Sequence, residues 1–229
     1  MRALYRLLDL LFPPKCVLCG RLLEREETDL CGACRREGPV FSGGGMSIPF
    51  VTAWMAVYRY EGLARDSLLR FKFGGRQSYA AAYGRLLAAR IQGELRAEFD
   101  LLTYVPVSPR RRWSRGYDQV RLLAEAVGRE LGQKPVRALK KIRHNPAQSS
   151  LREREQRRAN VLGAFGVVPG KKALVRSRRV LVVDDVLTTG STLSECARVL
   201  REAGAREVYG AVFARTFAKR PGDKTGKRV

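Results

Sequence analysis

The chain has 229 residues, 45% of them hydrophobic and 8% aromatic, which excludes a disordered tail or a collagen-like repeat. Lys and Arg number 44 against 22 Asp and Glu, a formal charge of +22 at pH 7 that draws polyanions such as nucleic acid, pyrophosphate or nucleotides. Apolar runs such as 180–183 are far shorter than the roughly 20 residues a bilayer requires, so no membrane span is expected.

Residues 1–12 are apolar with early arginines, but Arg6 and Asp9 interrupt any signal-peptide core, and no small-residue cleavage site precedes Pro13 and Pro14. A short amphipathic helix packed on the protein is expected there, and with it a cytoplasmic location. Cys16-x2-Cys19 and Cys31-x2-Cys34 follow, eleven residues apart. Pairs so spaced can aim four thiolates at one tetrahedral, structural Zn²⁺, and Gly20 and Gly32 suit the tight turns that point N–H groups at sulfur. Two disulfides are the competing reading; the lack of an export signal and a chain large enough to fold without staples favour zinc.

The glycine-rich stretch 41–50 marks a domain boundary. Residues 53–60 predict a strand. Residues 63–71 predict a helix with Ala64, Ser67, Leu68 and Phe71 on one face, stopped at Gly74 and Gly75. Tyr83, Leu87, Ile91 and Leu95 mark a second helix, and 101–107 a buried strand that runs into a loop at Pro106 and Pro109. Val120, Leu123, Ala124, Val127 and Leu131 mark a third helix, closed by Gly132. Residues 144–160 are polar and highly charged, either a mobile loop or a solvated helix. Residues 179–185 predict a strand, 192–203 a helix ended by Gly204, and 207–214 a further strand.

Strands alternating with helices predict an α/β fold, mainly a parallel sheet with helices on both faces. The expected organisation is an N-terminal helix and four-cysteine region over 1–50, an α/β domain over 51–216, and a basic, disordered tail over 217–229. Residues 101–229 hold 29 basic and 11 acidic side chains, whereas residues 1–40 are nearly balanced.

The most specific stretch is 182–192, VVDDVLTTGST. A buried strand ends in two carboxylates, followed by small and hydroxyl residues and then a helix. Backbone N–H groups of 188–192, the hydroxyls and the helix N-terminus can converge on one phosphate. Asp184 and Asp185 repel a bare phosphate but suit a ribose diol and its Mg²⁺. Neither a G-x-G-x-x-G fingerprint nor a P-loop occurs. Cys196 reads as a buried small hydrophobe and His144, the only histidine, as a surface side chain.

That string resembles the 5-phosphoribosyl-1-pyrophosphate (PRPP) signature of type I phosphoribosyltransferases. With the cysteine knuckles, FKFGGR at 71–76, VPVSPRRRWSRGYDQ at 105–119 and PAQSSLREREQRRANVLGAF at 146–165, the chain resembles the ComF family, competence-associated proteins with an N-terminal zinc ribbon. The resemblance implies a type I phosphoribosyltransferase-like fold preceded by a four-cysteine zinc-ribbon region, with Zn²⁺ on Cys16, Cys19, Cys31 and Cys34. It implies that Asp184 and Asp185 hold the ribose hydroxyls and that Leu187, Thr188, Thr189, Gly190, Ser191 and Thr192 bind the 5′-phosphate. Residues 107–112 become a pyrophosphate loop, with Arg110, Arg111, Arg112 and Arg115 as anion ligands. Residues 146–160 become a closing loop in which Gln148, Arg154 and Arg158 meet the sugar phosphate.

The implied activity is PRPP binding with Mg²⁺, and phosphoribosyl transfer to an unidentified acceptor, linked to DNA uptake, competence or nucleotide metabolism. Competence and DNA-processing proteins are the implied partners. The alternative is a non-catalytic adaptor that binds single-stranded nucleic acid through the basic half, with Trp113 and Tyr117 as stacking residues, and keeps the pocket as a sensor or relic.

Overall fold

The computed structural model describes residues 13–42, 46–95, 98–143 and 161–217. The expectations for the N-terminal helix, for the loop bearing His144, Gln148, Arg154 and Arg158, and for the tail after Phe217 lie outside the described residues.

In chain order the elements are α1 (Gly32–Glu37), β1 (Ala53–Arg59), α2 (Gly62–Phe73), α3 (Tyr79–Glu94), β2 (Leu101–Tyr104), α4 (Pro109–Arg115), α5 (Gln119–Glu130), β3 (Leu139–Lys141), β4 (Phe165–Val167), α6 (Lys172–Val175), β5 (Arg179–Leu187), α7 (Ser191–Glu202) and β6 (Glu207–Arg215). The main sheet runs β1-β6-β5-β2 with every neighbouring pair parallel. Central strands β5 and β6 are buried along nearly their whole length, which is why they read as continuous apolar runs.

Side chains three apart on a strand point to opposite faces. In β6, Phe213 stacks on Tyr83 of α3, with ring centroids 3.8 Å apart, while Gly210 lies under Leu193 of α7. Helices α3 and α7 therefore cover opposite faces, as the alternating pattern predicts. Helices α3 and α5 approach so closely that a Cβ on Gly84 would fall 2.4 Å from that of Ala126.

Three features differ from the sequence expectation. Strand β5 does not end at the aspartates but continues two residues further, to Leu187, because Asp184, Val186 and Leu187 stay in register with Val212, Ala214 and Arg215 of β6. The arginine run 109–115 is a short helix rather than a loop. Ser108 accepts from the Arg111 N–H at 3.3 Å, Pro109 occupies the first turn, and Gly116 at φ +77° ends it. A small antiparallel hairpin, β3 with β4, stands apart from the main sheet.

The four-cysteine unit is not a detached satellite. Cys16, Val17, Leu18, Leu30, Cys31 and Phe41 belong to the same buried cluster as Ala64, Leu68 and Phe71 of α2. Val40 bridges Tyr58 of β1, Arg90 donates to the Phe41 carbonyl at 2.7 Å, and Arg85 pairs with Asp29. No helix among the described residues is long and apolar enough to cross a membrane.

Candidate functional site

The four cysteine sulfurs all lie within 4.8 Å of one another, and none forms a disulfide. Cys19 and Cys31 sulfurs stand 3.7 Å apart, close to the roughly 3.8 Å edge of a tetrahedron with 2.3 Å Zn–S bonds. The Cys34 N–H donates to Cys31 Sγ at 3.4 Å and draws that thiol down to about 7, toward the thiolate a metal needs. The donor set fits one Zn²⁺ and leaves no position open for substrate. Its role is structural.

The second centre is a cleft of about 450 Å³ across the C-terminal ends of the four parallel strands. Asp184 and Asp185 form its floor, 8% and 7% exposed. Burial, reinforced by the neighbouring Asp185 charge, pushes Asp184 up to about 8, against the opposing pull of Lys72 and Arg111. Asp184 accepts the backbone N–H of Asp185 at 2.8 Å. Asp185 is held from both sides: Lys72 Nζ lies 3.0 Å from one oxygen and Gln119 Nε2 donates to the other at 3.2 Å. Since the amide nitrogen of Gln119 is committed to Asp185, its Oε1 is the buried atom left without a partner.

Arg111, Arg115 and Lys141 complete a cationic wall opposite the carboxylates, and Thr188 and Thr192 close the end beside α7. Arg115 lies over the Phe73 ring at 4.9 Å, which fixes its direction. Negative floor, positive wall and hydroxyl end suit a ligand with a sugar diol and two anionic ends.

Between β5 and α7 the hydroxyl loop turns at Gly190, whose φ is +79°. Thr189 and Ser191 hydroxyls meet at 2.9 Å, and Arg215 donates to the carbonyl of Thr188. A Cβ on Gly190 would lie 2.6 Å from Met46 Cε, the far end of a flexible side chain that can move aside, so the left-handed backbone is what requires glycine here. Gly190→Ala should cost about 1–2 kcal/mol from the left-handed backbone, Met46 shifting to make room. Thermal unfolding checks this; an unchanged midpoint would contradict the left-handed conformation.

A neighbouring groove of about 760 Å³ lies on the other side of α4. Arg112, Arg121, Arg137 and Lys141 line it, and Trp113 stands on its rim at 88% exposure. Tyr117 is only 8% exposed, so of the two expected stacking residues Trp113 alone offers a free face.

The structure thus brings together Asp184, Asp185, Thr188, Thr192, Arg111 and Arg115. Thr189, Gly190 and Ser191 form the turn between this cleft and a second pocket beside Met46 and Ile48, with Leu187 buried beneath. Arg112 turns into the Trp113 groove, and Arg110 is exposed and lines neither cavity. A single helical turn cannot point three consecutive arginines the same way. Lys72, Gln119 and Lys141 are site residues that no sequence signal singles out, although Lys72 and Gln119 sit inside the FKFGGR and RGYDQ strings. Cys196 is fully buried in α7, as expected, and burial raises its thiol far above the ordinary range.

Sheet, acidic pair, hydroxyl loop and four-thiolate knuckle together define a zinc-ribbon protein built on a type I phosphoribosyltransferase fold. The double zinc ribbon domain family matches residues 7–43 and the phosphoribosyl transferase domain family residues 121–228. Competence protein F of Haemophilus influenzae is 29% identical over 200 residues, 85% of this chain and 82% of that one. DNA utilization protein YhgH of Salmonella typhi is 32% identical over 211 residues, 88% and 90% of the two chains. A solved structure described as the allosteric regulatory enzyme of purine biosynthesis superposes with a TM-score of 0.43 at 25% identity, covering 63% of this chain and 29% of that one. The chain belongs to the ComF family, alongside these competence and DNA-utilization proteins.

Proposed function

We propose that the protein binds PRPP in the carboxylate cleft, with the ribose over Asp184 and Asp185, the 5′-phosphate at the hydroxyl loop and the pyrophosphate against Arg111 and Arg115. The observation that carries this reading is the opposition of a buried acidic pair and a cationic wall within one cleft, closed by hydroxyls at a helix start. Asp184 keeps a carboxylate oxygen available to Mg²⁺, which would neutralise pyrophosphate when bound. Departure of pyrophosphate from C1 leaves the bonding electrons on the leaving oxygen, and Arg111, Arg115 and Lys141 are placed to stabilise that charge. Tyr60 and Thr216, over β1 and β6, border the end left for an acceptor. Both ribose 5-phosphate and pyrophosphate should displace labelled PRPP. If ribose 5-phosphate fails to compete, the hydroxyl loop is not the phosphate site.

A second activity is supported by the groove beyond α4. An exposed indole beside Arg112, Arg121 and Arg137 is the combination that holds single-stranded nucleic acid, by stacking and by phosphate contacts. The names of the relatives, competence protein and DNA utilization protein, accord with DNA handling. Five free cysteines suit a reducing cytoplasm.

Because α4 divides the two cavities, substitutions on its two sides should separate the two activities. Arg112→Ala with Trp113→Ala should weaken oligonucleotide binding by about tenfold or more, since stacking contributes about 1–3 kcal/mol per base. PRPP affinity should be unaffected. Arg111→Ala should do the reverse. Fluorescence anisotropy of a labelled oligonucleotide across a salt series reads the first, with the logarithmic slope near 0.7 per phosphate neutralised, and calorimetric titration with PRPP reads the second. Oligonucleotide binding unmoved by the groove pair would place the DNA elsewhere.

A further inference from the structure

The four-cysteine unit and the carboxylate cleft share one helix, α2. Fully buried Ser67 donates to the carbonyl of Val17, and the Tyr83 hydroxyl, 2.5 Å away, donates to Ser67 in turn, since its one proton is already committed. Arg70, one turn on, donates to the carbonyl of Leu18. Val17 and Leu18 are the two residues between Cys16 and Cys19, so the direction of both carbonyls is set by the turn that closes around the metal. Two residues past Arg70, Lys72 reaches down to Asp185 at 3.0 Å, with the two side chains 13% and 10% exposed.

Lys72 sits in the last turn of α2, whose terminal carbonyls have no helical partners and which frays unless held from outside. Ser67 and Arg70 hold it on the knuckle side, and Lys72 projects about 200° around the helix from Arg70, toward the cleft. A shift or rotation of this turn therefore moves the ammonium off Asp185. Without that ammonium Asp185 keeps the Gln119 amide as its hydrogen-bonded partner but loses its ion pair, and the floor repels an incoming phosphate more strongly.

We propose that the zinc ribbon positions Lys72: Ser67 and Arg70 read the closed knuckle and keep the Lys72 ammonium on Asp185, so that anion binding in the cleft depends on the metal. Lys72 is the cation of the site; Ser67 and Arg70 are positioning residues acting through it. The ligand-dependent part rests on the sugar-phosphate reading above, whereas the coupling between knuckle and lysine does not.

Two measurements on the full chain test it. Acylation by a water-soluble acetyl ester, mapped by mass spectrometry, reads the Lys72–Asp185 pair with no ligand present. Lys72 should react slowly in the zinc-loaded protein and several-fold faster after zinc is stripped by a chelator, and likewise in the Ser67→Ala and Arg70→Met variants. Lys134 and Lys172, which are exposed, serve as references. The second measurement is calorimetric titration with PRPP. Arg70→Met should still bind one zinc yet lose about tenfold in affinity, as one charge-assisted contact predicts. Lys72→Met should lose at least as much, the double variant should lose no more than Lys72→Met, and Arg70→Lys should recover part of the loss. Should Arg70→Met fold poorly, Ser67→Ala carries the same comparison. Lys72 protection unchanged by zinc removal, or losses that multiply in the double variant, would overturn the proposal. Zinc-dependent protection in a protein that binds no PRPP would refute the sugar-phosphate reading and leave the coupling standing.

Discussion

Asparagine in place of Asp184 should stabilise the ligand-free protein by about 1–3 kcal/mol at pH 8, the usual penalty for a buried, poorly compensated polar group. Asp184 is 8% exposed and shares the floor with Asp185, whose two oxygens already engage Lys72 and Gln119. Burial first, and the Asp185 charge second, raise its pKa to about 8. A carboxyl with a raised native pKa takes up a proton on folding. Stability therefore falls as pH rises from about 4, where the unfolded carboxyl ionises, to about 8, and is level above that. Asparagine carries no charge to desolvate and keeps an oxygen for the Asp185 N–H. Its advantage should thus be small at pH 5 and largest at pH 8, where it should raise the melting midpoint by several degrees. The same variant should bind PRPP far more weakly, so stability and binding move in opposite directions. Thermal scans from pH 5 to 9 decide it. A difference that shrinks with rising pH, or a variant less stable at pH 8, would contradict the placement of the charge.

Loss of zinc should have the largest effect on stability. Structural zinc contributes its binding energy to folding, on the order of 10 kcal/mol or more in isolated zinc peptides. Here the knuckle residues Val17 and Leu18 are buried in one cluster with Leu68 and Phe71, so the cost extends beyond the ribbon. Cys16→Ser with Cys31→Ser should remove the metal, loosen residues 13–42 and lower the melting midpoint of the sheet domain by about 10 °C, the equivalent of several kcal/mol for a chain this long. Elemental analysis with calorimetry is the measurement. Undiminished zinc would refute the ligand assignment, and a zinc-free variant melting with the wild type would show the ribbon to be an independent unit.

Much of this architecture is legible in the sequence because its strongest determinants are local. The apolar run of β5, the following hydroxyl loop and the stripe of α7 are contiguous, and two C-x-x-C pairs need only eleven residues between them to meet. What escapes the sequence is what comes from afar. Lys72 and Gln119 reach Asp185 from α2 and α5 and Lys141 lines the cleft from β3, and although the first two lie in recognisable strings, nothing in the sequence says that they meet the carboxylates. Helix α4 is a different case. Ser108, Pro109 and Gly116 are its start and stop signals, but Pro106 and Pro109 directly after a strand read equally as a loop, and a helix of seven residues is too short to show a stripe that would decide it. Strands β3 and β4, three residues each, are too short to show a period. Strand β5 runs past the two aspartates because pairing with β6 sets its end, and a strand's partner lies outside its own sequence.

Calorimetric titration of PRPP with Mg²⁺ into the zinc-loaded full chain, beside the Asp184→Ala/Asp185→Ala variant, tests the central claim most directly. One PRPP should bind per chain. The double substitution should weaken binding by about a hundredfold or more, since charge-assisted hydrogen bonds contribute roughly 1.5–3 kcal/mol each. No binding by the wild type, or equal affinity in the two proteins, would mean that the acidic pair does not hold a sugar phosphate.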